Sequence, residues 1–214
     1  MSQKVVSSLA LFLDLFAIAY SGKTEYLDEL KKAADLNEEM IDQATNFIQQ
    51  HYKNFSSMSW VYSCGAGANY GTALESALKM GETIHIPSCC YEIEEYIHGP
   101  NLQLTPQYNV IFFDGNDGAS RRVEQVYKAT RKSHKSSLFD FKQPFNYRVI
   151  DHVLSLSDTV SSELSPLVYL PFVQLLSFIV SNDLHSIYQH PLLKEFKAIA
   201  AAKTENFVNY DGDD

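Results

Sequence analysis

Positive charge is in short supply in this sequence. Over 214 residues, 17 Lys and Arg face 26 Asp and Glu, for a net charge of −9 and a pI near 5.2. A groove for nucleic acid, or a face resting on anionic lipid, needs clustered basic side chains. The chain is therefore expected to have no nucleic-acid partner and no membrane partner. Cysteine is scarce too. Cys64, Cys89 and Cys90 make an odd count with two adjacent, which is neither a disulfide framework nor a zinc spacing. A reducing cytoplasm and the lack of a metal site follow as expectations, and Cys89-Cys90 reads as packing rather than as a nucleophile. There is no internal repeat, no low-complexity tract and no stretch that reads as long enough to span a membrane.

What is abundant is core-forming material, 45 % hydrophobic and 13 % aromatic, enough for a sizeable single core. The opening MSQKVVSSLALFLDLFAIAYSG has the outline of a secretion signal, but Asp14 interrupts the apolar stretch. Leu9, Leu11, Phe12, Leu15, Phe16 and Ala19 recur at helical spacing, which predicts a helix that buries this face and closes at Ser21-Gly22.

Further helices are expected over 25–33, 37–53, 69–81, 90–97, 119–132 and 163–188, the last broken near Pro166 and Pro171. Strands are expected at Ser59 to Ser63, Ile84 to Pro87, Asn109 to Asp114 and Ser137 to Phe141. Alternation of this kind predicts an α/β fold, a three-layer α/β/α sandwich whose sheet is parallel and whose crossovers are helical. The terminal NYDGDD reads as a frayed end.

In such a sheet, ligands sit at the carboxyl ends of the strands, where a glycine turn into a helix exposes N–H groups. Gly65 and Gly67 occupy that place, although G-x-G serves a tight turn equally well. The run does not complete a dinucleotide fingerprint, nor is there a Walker loop. Glu82 ends a helix ahead of a buried strand, where a carboxylate can act as a general base or simply be solvated. His98 stands before the rigid Gly99-Pro100, placed either to face a cleft or to cap a helix. Glu92, Glu94 and Glu95 read as a solvated helix face or as a carboxylate cluster.

The stretch GAGANYGTALESALKMGE followed by EEYIHGP resembles the second half of the double sugar-isomerase-domain (SIS) proteins. These include the isomerase domain of glucosamine-6-phosphate synthase and the bacterial deglycases that split phosphorylated fructosamines into glucose 6-phosphate and an amine. The resemblance implies a flavodoxin-like SIS sheet, with residues 1–55 as a helical segment packed on a SIS domain over 56–214. FFDGNDGASRR at 112–122 and QHPL at 189–192 resemble the deglycases more than the synthase.

By position, the resemblance implies Glu82 as the residue that shuttles a proton between C1 and C2 of an open-chain sugar. It implies His98 as the ring-opening histidine and Lys203 as the tail lysine. Gly65, Gly67, Asn69, Tyr70 and Glu95 fall on the substrate side. The synthase's G-R-G is Gly65-Ala66-Gly67 here, without the arginine. A sugar phosphate is the implied substrate, and no cofactor is required. The Ser/Thr-rich phosphate loop of the family belongs to the first half, so a first SIS half in cis or in trans is the implied partner, along with self-association. Deglycase, aldose-ketose isomerase and non-catalytic sugar-phosphate-binding module are the three readings this leaves.

Overall fold

The computed structural model describes residues 4–105, 108–133, 135–140 and 153–186, together with 195 and 199. Helices α1 (Lys4–Ser21), α2 (Tyr26–Gln50) and α3 (Tyr52–Ser56) precede β1 (Trp60–Gly65), α4 (Asn69–Lys79), a π-helical turn (Met80–Ile84) and β2 (Ser88–Glu92). There follow α5 (Ile93–Ile97), a 3-10 turn (Pro100–Gln103), β3 (Tyr108–Phe113), α6 (Ser120–Ser133), β4 (Lys135–Asp140), β5 (Val153–Ser155) and α7 (Ser165–Asp183).

The five strands form one sheet in the order β2-β1-β3-β4-β5, and every pairing is parallel. This is the flavodoxin-like order, and the parallel sheet flanked by helices is the expected α/β/α arrangement. Successive strand residues point to opposite faces, and here both faces are covered. Val61, Ile111 and Phe113 join α2, α4 and α7 in one core. Tyr62, Cys64, Val110 and Phe112 join α5 and α6 in the other. Both sides of the sheet being buried is why β1 and β3 read as largely apolar runs in sequence.

Several boundaries differ from the sequence reading. The two early helices merge into α2, and the strand expected at Ile84 to Pro87 lies instead at Ser88–Glu92, where a helix was expected to begin. Ile84 is buried and Ile86 packs beside the same core, so their alternation reports core packing. His85, with φ 64°, breaks the extended chain between them. Helix α7 is continuous through Pro171, and Pro166 sits in its first turn, where a missing N–H is harmless. By length and composition α7 could span a membrane, contrary to expectation, but 67 % of its apolar window is buried inside the fold. Strand β5 had no counterpart in the sequence reading.

The largest difference concerns α1. Leu9, Leu11, Phe12, Leu15 and Phe16 are all more than 40 % exposed, and Ile18 is the buried apolar residue of the helix. Ala10 packs on the core from the same helix, and Gln174 donates to Ser7 Oγ at 3.1 Å. Helical spacing correctly marks an apolar face but says nothing about whether the described residues provide a cover for it. QHPL at 189–192 and NYDGDD lie outside the described residues.

Candidate functional site

Strand order reverses between β1 and β3, the position at which open parallel sheets form a crevice. On the β1 side stand Gly65 to Asn69. A Cβ on Gly65 would lie 2.3 Å from the Asn69 carbonyl oxygen, so glycine is needed there for α4 to start close against the strand. Gly67 has φ 54°, a left-handed conformation suited to glycine.

Asn69 is 1 % exposed. Its amide donates to Ser165 Oγ at 2.7 Å and accepts from Thr72 Oγ1 at 3.0 Å. It thereby ties the first turn of α4 to that of α7. The N–H groups of Asn69 and Tyr70 turn back onto the carbonyls of Ala66 and Gly67. On the β3 side is Asp114, 5 % exposed, which accepts from Ser120 Oγ at 2.6 Å and from the Asn116 N–H at 3.1 Å. Asp117 Oδ2 comes within 3.4 Å of where a Gly67 Cβ would be. One carboxylate, that of Asp117, thus faces the glycine turn, an arrangement that works against its use as a phosphate nest.

Tyr70 and Glu95 come together at the carboxyl end of β2. The Cys90 thiol beside Tyr70, helped by burial and the Glu95 charge, pushes the phenol above its ordinary proton affinity. Burial likewise raises the Cys90 thiol, against the opposing pull of its hydrogen bond with Tyr70.

Glu82 lies at the opposite end of that strand, in the π-helical turn that ends α4. Such turns insert one residue into a helix and recur at functional sites. A Cβ on its neighbour Gly81 would sit 3.3 Å from Ser88 Oγ, at the start of β2. Glu82 Oε2 accepts from Lys79 Nζ at 2.9 Å, and its side chain is 35 % exposed while that of Lys79 is 5 % exposed. On the preceding turn Glu75, 11 % exposed, places Oε1 3.5 Å from the same nitrogen. Burial pulls the Lys79 ammonium down, but the hydrogen bond to Glu82 and the two carboxylate charges outweigh it, so the proton is held more firmly than in free lysine.

Lys79 and Glu75 are the residues that sequence reading missed. The signal was present as Glu75, Lys79 and Glu82 at i, i+4 and i+7, one face of a helix.

His98 follows the last turn of α5, with its N–H on the Glu95 carbonyl at 3.1 Å. It is exposed, and its charge is felt by Glu94, which is clamped by Arg122 at 2.7 and 3.0 Å. Helix α4 packs on one face of the sheet and α5 on the other, so Glu82 and His98 follow helices on opposite faces. Lys203 lies outside the described residues. Among the described residues no group of three or more His, Cys, Asp or Glu is placed to hold a metal ion.

No protein-family model matches the chain. A glutamine–fructose-6-phosphate aminotransferase (isomerizing) of Methanothermobacter thermautotrophicus is 27 % identical over 170 residues, 78 % of this chain and 28 % of the relative. That of Clostridium perfringens is 25 % identical over 186 residues, 84 % of this chain and 30 % of the relative. The chain thus spans under a third of the length of these curated relatives. Among solved structures, the C-terminal domain of glucosamine-fructose-6-phosphate aminotransferase from Francisella tularensis superposes with TM-score 0.66 at 26 % identity, covering 74 % of this chain and 44 % of that one. A glucosamine-6-phosphate deaminase from Thermotoga maritima gives TM-score 0.67 at 19 % identity over 86 % of this chain and 52 % of that one, a likeness of fold. By sequence and by fold together, the chain is homologous to the C-terminal isomerase (SIS) domain of glucosamine-fructose-6-phosphate aminotransferase.

Proposed function

We propose that the chain acts on a phosphorylated sugar, with Glu82 as the base that carries a proton between C1 and C2 of the open-chain form. The observation that carries this reading is the Lys79–Glu82 pair, a carboxylate at 35 % exposure held at 2.9 Å by a buried ammonium in a π-helical turn. A base in this reaction takes a proton from one carbon and returns it to the next, while negative charge builds on the sugar oxygens. Lys79, its charge maintained by two carboxylates, supplies a fixed positive charge beside that event. The proton transfer itself calls for no cofactor.

His98 opens the sugar ring in this reading. Since α4 and α5 lie on opposite faces of the sheet, the histidine of one chain serves the Glu82 of a second. The phosphate is held by a first SIS half, in cis or in trans, because the glycine turn here faces Asp117.

Cleavage of a phosphorylated fructosamine into glucose 6-phosphate and an amine is the second reading. The stretch FFDGNDGASRR, which resembles the deglycases more than the synthase, favours it.

The test supplies the protein in its full cellular form with fructose 6-phosphate and, separately, with phosphorylated fructosamines, and follows aldose phosphate release. Glu82→Gln is expected to lower turnover by about 10²- to 10⁴-fold with binding nearly unchanged. Wild-type turnover in that variant overturns the role of Glu82. Binding of sugar phosphate without turnover by the unsubstituted protein moves the assignment to a binding module.

A further inference from the structure

Helix α1 turns its best apolar stripe away from the domain it belongs to. Leu9, Phe12, Leu13, Phe16 and Tyr20 recur at i, i+3, i+4, i+7 and i+11, which places them on one face of the helix. Their exposures run from 53 to 87 %. Ile18, which is buried, lies on the opposite side. The rings of Phe16 and Tyr20 stack on each other at 6.2 Å, so part of the stripe is ordered before anything covers it.

A groove lies beside this ridge. Where Ser7 and Ser8 line it, a cavity of about 350 Å³ opens between α1, α2 and α7, walled by Ile41, Pro171, Leu175 and Phe178. Ile41 and Phe178 are themselves 41 and 51 % exposed. Together with the five residues of the stripe, at roughly 100 Å² each, they present on the order of 700 Å² of apolar surface. That exceeds the largest patch of an ordinary monomer, about 300–600 Å², and approaches the about 800 Å² that one partner gives to a stable interface.

Two properties choose the occupant. The only charges on α1 are Lys4 and Asp14, and the chain carries −9 overall, whereas a helix that rests on lipid lines its polar face with Lys and Arg. Ridge and groove also lie side by side on a single surface, so that surface complements itself. A two-fold axis then lays the ridge of each chain in the groove of the other, the isologous geometry of a closed dimer. We propose that this face pairs with a second copy of the chain, with Phe12 and Phe16 of each protomer filling the groove of its partner. The contact does not depend on turnover at Glu82, and its test reads association alone.

The experiment is sedimentation equilibrium of the full chain between about 1 and 100 μM. A closed dimer of twice 24.2 kDa is expected. Phe12→Glu combined with Phe16→Glu should weaken dimerisation about 100-fold or more, and Phe178→Glu about tenfold. Leu102→Glu, at a side chain 85 % exposed on the 3-10 turn, should leave it unchanged. The replaced side chains are exposed, so the variants should fold as the parent does, and circular dichroism checks this. Phe178→Glu, on a different helix, carries the test if the α1 variant does not fold. Flotation with vesicles of phosphatidylcholine and phosphatidylglycerol runs in parallel. A monomer at 100 μM, or a dimer indifferent to the substitutions on α1 and at Phe178, overturns the proposal. So does flotation that Phe12→Glu with Phe16→Glu abolishes, since the stripe then belongs to lipid.

Discussion

Asn37 donates its side-chain amide to the carbonyl oxygen of Leu167 at 2.7 Å. Leu167 lies four residues before Pro171, and proline has no N–H to give the carbonyl one helical turn back. The bond from α2 therefore replaces the hydrogen bond that the proline removes, and α7 continues where the sequence suggested a break.

Replacing Asn37 by Leu should leave that carbonyl without its donor, at a cost of about 1–3 kcal/mol. In the double variant Asn37→Leu with Pro171→Ala the helix can supply its own N–H, and much of the loss should return. Urea denaturation of the four proteins in this cycle measures it. Additive losses across the cycle would show that the two residues act independently.

The buried lysine gives a second expectation. Lys79→Met removes the one charge that Glu75 and Glu82 share, and breaking a buried pair from one side costs about 3–5 kcal/mol. Because Glu82 is 35 % exposed, the lower end of that range is expected. Adding Glu75→Gln to the same protein should recover part of the loss, since Glu75 is the more deeply buried carboxylate. Chemical denaturation at neutral pH decides it, and a loss below about 0.5 kcal/mol would mean that the pair is of the weak surface kind.

Lys79 also makes a prediction about pH. Its folded proton affinity is raised above that of free lysine, so the stabilisation is fully present below the unfolded value of about 10.4 and is lost as pH rises through the folded one. At pH 9 the amine should therefore be protonated, buried and slow to acylate. Mass spectrometry after brief treatment with an amine-reactive ester should find Lys79 among the last lysines modified. Early modification of Lys79 in folded protein would contradict the geometry.

Two glycines separate tight packing from open space. Gly65→Ala places a methyl group 2.3 Å from the Asn69 carbonyl oxygen, an overlap with backbone that should cost about 3 kcal/mol or more. Gly71, on α4, has nothing within 4 Å of its would-be Cβ, and Gly71→Ala should stabilise by up to about 1 kcal/mol. Opposite signs in thermal melts are expected, and equal effects would contradict the placement of the α4 start.

The alternation of strands and helices, and hence a parallel sheet, was legible because β1 and β3 are buried on both faces and their apolar runs are bounded by Gly65 and Asp114. The position of β2 was not legible. Ile84 and Ile86 are apolar for contacts with the core behind them, and the left-handed His85 that ends the π turn has no one-residue signature. At the candidate site the motif gave Glu82 and His98, but linear spacing carries no information about which face of a sheet each reaches. Lys79 was overlooked because a lysine on a helix with glutamates around it ordinarily reads as a solvated face. Only the fold, in which it is 4 % exposed, makes it buried.

The opposite placement of Glu82 and His98 leads to an expectation about mixtures. If each site takes Glu82 from one chain and His98 from another, Glu82→Gln and His98→Asn homodimers are both inactive, for different reasons. Mixing equal amounts of the two and allowing subunits to exchange makes half of the dimers mixed. Each mixed dimer carries one site with both substitutions and one with neither, because a two-fold axis exchanges the roles of the chains. Activity should therefore rise from near zero to about a quarter of the unsubstituted level. Covalently tethered mixed dimers should reach about a half. If the two residues act within one chain, every site in every mixture carries one substitution or the other, and no recovery occurs. Turnover of the mixture, measured before and after subunit exchange, distinguishes the two arrangements without further knowledge of the substrate's amine.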